Sequence, residues 1–186
     1  MKKLLAVFVL FLTLCGCNST EKTLEPAMEL RQKLQSAQTC SFQACITADY
    51  SDSLYTFRLA CETDARGDMT FTVVKPDSIS DVSGKITGKS GALIFDDKVL
   101  GFAPIADDYI TPVMAPWVMI NNLKSGYITA VGVAGEYTLI TVNDSYDSDA
   151  LELEVWAEED GRVVRCEILY RGRRCLTIDV EDFQIQ

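Results

Sequence analysis

Residues 151–186 read LELEVWAEED GRVVRCEILY RGRRCLTIDV EDFQIQ, and this stretch decides the fold. Apolar and polar side chains alternate on both sides of Asp160-Gly161, a dipeptide that favours a tight hairpin turn. A two-residue loop there sets Leu153 opposite Ile168, Val155 opposite Cys166 and Ala157 opposite Val164, so one face is apolar throughout. On the other face Trp156 stands opposite Arg165 and can stack on it. The next turn, centred on Gly172, is expected as a three-residue loop of Arg171, Gly172 and Arg173. Ile168 then meets Leu176, Cys166 meets Ile178 and Val164 meets Val180, with Arg165 beside Asp179 outside. A two-residue loop would instead carry Cys175 and Thr177 onto the apolar face. The expectation is an antiparallel meander with one buried face, and with Cys166 and Cys175 on opposite faces, too badly aimed for a bridge.

The same period of two runs upstream. Phe42, Ala44, Ile46 and Ala48 alternate with polar neighbours, as do Tyr55, Phe57, Leu59 and Cys61, then Met69, Phe71 and Val73. Ser51-Asp52-Ser53 and Arg66-Gly67-Asp68 punctuate them as turns. Shorter strands are expected over Val82–Thr87, Ala92–Phe95 and Val99–Phe102. Two segments depart from this period. Residues 25–38 place Ala27, Leu30, Leu34 and Ala37 at helical spacing, with Pro26 in the first turn, where its missing N–H costs nothing. Pro116–Leu123, with Trp117, Met119, Ile120 and Leu123 before Ser125-Gly126, predicts a short, largely buried helix. The fold class is α+β: one strongly curved antiparallel sheet, an incomplete β-barrel, with an N-terminal helix and an inserted helix covering its concave face.

The chain has 186 residues, 48% of them hydrophobic, which suits one compact domain and no second. It contains no histidine, which excludes Ser-His and Cys-His nucleophile pairs and every histidine-based metal site. A net charge of −10 argues against nucleic acid as a partner.

Met1-Lys2-Lys3 followed by an apolar run from Leu4 to Leu14 reads as a secretion signal. Such a run reaches about 17 Å as a helix, short of a hydrocarbon core of about 30 Å. It ends in Leu14-Cys15-Gly16-Cys17, which resembles the bacterial lipobox. That resemblance implies cleavage after residue 16 and diacylglycerol and palmitate-type acylation of Cys17. The expected organisation is a signal peptide over 1–16, a lipidated tether over 17–24 and one domain over 25–186. The expected address is the extracytoplasmic face of the cell membrane, with no cofactor beyond the covalent acyl anchor. Cys40, Cys45, Cys61, Cys166 and Cys175 remain in the domain, and an odd number leaves at least one thiol unpaired.

The order of elements and several local patterns resemble the LolA-like family of lipoprotein carriers and their relatives. The patterns are Ser41-Phe42-Gln43-Ala44 after the first helix, and Val74-Lys75-Pro76-Asp77 at a strand end. The helical insert at Pro116–Leu123 joins them, as does the closing run from Glu167-Ile168 through Tyr170, Gly172, Cys175-Leu176-Thr177-Ile178 to Phe183. The resemblance implies a half-open barrel with helices in its mouth and a non-catalytic role. In style the chain is similar to the germination lipoproteins of spore-forming clostridia. That similarity implies docking to a cell-envelope protein such as a wall amidase, in a sporulation or germination setting.

Three motifs invite other readings. Ser83-Gly84-Lys85-Ile86-Thr87-Gly88-Lys89-Ser90 approaches a phosphate loop, but strand-like residues follow it where a helix is needed, so a hairpin is expected. Glu154 and Glu167 face one another and could be read as paired catalytic carboxylates; a solvated polar face beside Arg165 accounts for them. Asn143–Asp149 is acidic but lacks the mid-loop glycine of a calcium loop and reads as a turn. Neither a catalytic nor a metal site is therefore assigned.

Two functions remain open. In one, Met114, Trp117, Met119, Ile120, Leu153, Val155, Cys166, Ile168 and Ile178 line an apolar cavity for a lipid or acylated ligand, with Trp117 as its lid. In the other, these side chains fill the space themselves. A strand edge or acidic surface then docks a cell-envelope protein or a second copy of the chain.

Overall fold

The computed structural model describes residues 19–88, 92–95 and 104–186, with side chains placed for residues 24–88 and 104–186. Helix α1 (Ser19–Ser36) leads into strands β1 (Thr39–Asp49), β2 (Leu54–Asp64), β3 (Met69–Lys75), β4 (Ser83–Thr87) and β5 (Ala92–Phe95). A single 3-10 turn (Pro112–Met114) opens helix α2 (Ala115–Ser125). Strands β6 (Tyr127–Ala134), β7 (Tyr137–Asn143), β8 (Leu151–Ala157), β9 (Val163–Tyr170) and β10 (Arg173–Ile185) complete the chain.

All ten strands form one antiparallel sheet in the order β5-β4-β3-β2-β1-β10-β9-β8-β7-β6. Among the described residues its edge strands are β5 and β6, which do not pair with each other, so the sheet is unclosed, and α2 lies between them in sequence. This is the expected α+β half-barrel.

Period-two burial explains why both helices settle on one face. In β1 every second residue is buried, Phe42, Ala44, Ile46 and Ala48 among them. Leu30 and Leu34 of α1 and Met119 and Ile120 of α2 close over that face at 0–2% exposure. Each such side chain removed from water contributes roughly 1.5–3 kcal/mol. The helices are also joined to one another. Arg31 donates from Nε to the Leu123 carbonyl at 2.8 Å and from Nη2 to the Gly126 carbonyl at 2.7 Å. These are carbonyls that the end of α2 leaves without helical partners. Arg31→Ala orphans them and should cost about 1–3 kcal/mol, read as a lower urea midpoint with an unchanged slope.

Several expectations need correction. Helix α1 starts at Ser19 rather than at Glu25, so Ser19–Leu24, read as part of the tether, is helical and Pro26 lies inside the helix. Pro26 sits on the exposed side, where water can satisfy the carbonyl its ring leaves free. Tyr55, expected inside, is 55% exposed and packs edge-on against Tyr50 beyond the end of the core. The inserted helix runs two residues further than Leu123. Val99–Phe102 lies outside the described residues.

The two C-terminal hairpins keep the expected register in their strands and break it at their tips. Leu153 does face Ile168, Val155 faces Cys166, and Trp156 faces Arg165 with its guanidinium 6.0 Å from the indole centre. Ala157, however, pairs with Val163 rather than Val164 across an irregularity after Trp156. The cause is the turn: Asp160 uses its own carboxylate to accept the Arg162 N–H at 2.9 Å, and Gly161 takes a φ of +89°. This builds a loop longer than two residues closed by a bulge. At the next tip the loop is two residues, Arg171-Gly172, with φ of 49° and 73°. An irregularity between Arg174 and Leu176 then restores Leu176 to Ile168. That bulge turns Cys175 inward beside Leu176, at 6% exposure, with its thiol 3.2 Å from the Ile168 carbonyl. Cys175 is therefore buried like Cys166, not on the opposite face, and both remain thiols.

Candidate functional site

The sequence-predicted cavity residues separate into two groups. Leu153, Val155, Cys166, Ile168 and Ile178 lie on the concave face at 0% exposure, in contact with one core that includes Met119 and Ile120 of α2. Burial first, and then the nearby Glu167 carboxylate, pushes the Cys166 thiol far above its ordinary value, as expected in an apolar interior. Met114, at the end of the 3-10 turn, and Trp117 of α2 are only partly buried at the margin of that core. They line a groove of about 470 Å³ with Tyr109, Val118, Asn121 and Asp144. Periodicity identified the helix but not which of its faces met the sheet.

Trp117 is held in place. Its indole N–H donates to the Gly67 carbonyl at 3.0 Å, which ties α2 to the β2–β3 turn. Gly88 closes against the same turn: a Cβ at Gly88 would stand 2.7 Å from the Gly67 carbonyl oxygen. The near edge of the groove thus rests on two glycines that leave room for a direct backbone approach.

A second feature is β6, which among the described residues pairs with β7 on one side and forms an edge of the sheet on the other. Its eight residues, Tyr127–Ala134, carry no charge and no proline, and five of them are exposed. Val133 is 85% exposed. At the strand's start Tyr127 stacks on Tyr146, ring centroids 3.7 Å apart, with Tyr146 itself 84% exposed. Sequence reading did not single out β6, because its status as an edge follows from what pairs with it and not from its own residues. Uncharged exposed edges are rare in monomers because they invite pairing with a further strand.

The acidic pair on the convex face is real in register and ordinary in chemistry. Glu154 lies opposite Glu167, and Glu167 accepts from Arg165 at 2.7 Å and Arg174 at 2.9 Å. Burial, then Glu167 and Glu152, raises the Glu154 carboxyl above its usual range. A raised carboxyl destabilises the fold once it ionises, so the penalty grows as pH rises through its folded value. Glu154→Gln should therefore raise the melting temperature at neutral pH, with the gain vanishing as pH falls through the carboxylate range. Thermal melts of both proteins across that range check the sign. Residues 83–87 pair with 92–95 as a hairpin, so the phosphate-loop-like stretch has no helix behind its described part. Among the described residues no cluster of acidic or cysteine side chains is arranged to hold a metal, and no helix is long and apolar enough to cross a membrane.

The architecture is an unclosed antiparallel sheet with two helices packed on one face, the half-barrel expected from the sequence. Solved structures with similar chain traces include a LolA superfamily protein from Nitrosomonas europaea, at 10% identity and a TM-score of 0.41, covering 91% of this chain and 94% of that one. A DUF1329 family protein from Desulfovibrio piger matches at 7% identity and a TM-score of 0.43, covering 91% and 94%. Mycobacterium tuberculosis lipoprotein LppX matches at 14% identity and a TM-score of 0.43, covering 89% and 96%. The likeness is one of strand and helix arrangement alone. No family model and no curated protein sequence matches the chain significantly.

Proposed function

We propose that this protein is a non-catalytic, extracytoplasmic binding module that is lipid-anchored at Cys17. It docks an extended segment of another cell-envelope protein along β6. The observation that carries this reading is the contrast between two surfaces. The concave face is filled by the chain's own buried side chains, while β6, an uncharged edge among the described residues, leaves five of its eight residues exposed. Docking by strand addition supplies main-chain hydrogen bonds that need no charge, and the exposed Tyr127–Tyr146 pair offers the aromatic anchor such interfaces favour. A net charge of −10 elsewhere favours a partner that is neutral along the strand and basic around it.

Site-specific photocrosslinking in cells tests this. A benzophenone amino acid at Val133 should yield one discrete protein adduct, and the same probe at Met28, exposed on α1, should not yield that product. An adduct of twice the chain's own mass would identify a second copy as the occupant. No adduct above the Met28 background would refute docking at β6. The anchor is tested separately, by loss of membrane association in Cys17→Ala.

A further inference from the structure

We propose that residues 106–109 form a strap at the mouth of the groove on α2, latched by Arg171 and able to lift without unfolding the sheet. This device stands apart from docking at β6. Its base is firm: Ile105 and Ile110 are 7% and 3% exposed and bond to each other through their backbones at 2.9 and 3.3 Å. Its tip is not. Ala106, Asp107 and Asp108 hold three successive left-handed φ angles, 56°, 52° and 67°, a conformation that residues with side chains resist. The contacts at the tip must offset that strain.

Those contacts converge on one hairpin turn. Asp107 accepts from Arg171 Nη1 at 2.9 Å and from the Tyr170 hydroxyl at 3.2 Å. Tyr109 packs on the Tyr170 ring with centroids 5.3 Å apart. The opposite edge of the Arg171 guanidinium holds Asp149 at 3.0 and 3.1 Å. Asp149 sits in the β7–β8 loop, which also supplies Asp144 of the groove wall. One guanidinium therefore ties together both loops that bound the groove. The three charged side chains are 41–65% exposed, so the latch is screened by salt while the apolar base is not. Lifting the tip moves Tyr109, which lines the groove beside Met114 and Trp117.

Residue-resolved hydrogen exchange on the folded protein reads this motion. The Tyr109 N–H, bonded to the Ala106 carbonyl at 3.0 Å, reports on the tip. Arg171→Ala should speed its exchange about tenfold and leave the Ile168 and Ile178 amides unchanged. Adding salt to about 1 M should do the same in the wild type and nothing further in the variant. Asp107→Asn, which leaves Arg171 on Asp149, should repeat the effect even if Arg171→Ala folds poorly. An unchanged Tyr109 amide in both variants would overturn the strap. So would equal acceleration across the sheet, because Arg171 would then be a staple of the whole fold.

Discussion

Ile168→Ala is expected to cost roughly 3–5 kcal/mol of stability and to leave docking along β6 intact in the molecules that stay folded. Ile168 sits at the centre of the concave face with 0% exposure, paired to Leu153 on one side and Leu176 on the other. Deleting three of its carbons leaves a void that neighbours on two paired strands cannot collapse into, which places the cost in the upper part of the range for such changes. If the concave face were instead an open acyl cavity, the side chain would be partly solvated, and its loss would cost little stability and much ligand retention. Urea melts, with bound-lipid occupancy measured on the same samples, separate the two outcomes.

Val133→Lys should have the opposite profile. The side chain is 85% exposed and supports nothing in the core, so the melting temperature should move by less than the effect of any core change. A charge on an edge strand, however, blocks the approach of another strand, because the ammonium loses water when the ladder closes over it. Docking should weaken at least about tenfold, corresponding to about 1.4 kcal/mol, and the photocrosslink from a probe at Gly132 should fade with it. A variant that docks normally would remove β6 from the interface.

What the sequence disclosed follows from how local each cause is. Strands β1, β3, β8, β9 and β10 were legible because one face of each is buried along nearly its whole length, and burial writes a period of two into the residues. The hairpin tips were not, because the Asp160 carboxylate and the conformation of Arg171-Gly172 fix the loop lengths. Two bulges then return the strands to register, and Cys175 is buried by one of them. The helix over Pro116–Leu123 was legible as apolar, yet its burial depends on which side meets the sheet; Met119 and Ile120 are fully buried, while Trp117, like Met114 just before the helix, stays partly exposed along the groove. The groove, the β6 edge and the Arg171 latch were invisible for a further reason. Asp107 and Arg171 meet across 64 positions, a relation no local pattern records.

The central claim is that the half-barrel is closed by its own core and works through its surface. Native mass spectrometry of the full-length protein, purified from its own cells under gentle conditions, tests it most directly. The prediction is a mass equal to the chain with its covalent modifications only, alone or in complex with another protein, and unchanged by mild delipidation. A stoichiometric non-covalent lipid that persists through purification, and is lost together with little stability in Ile168→Ala, would contradict it.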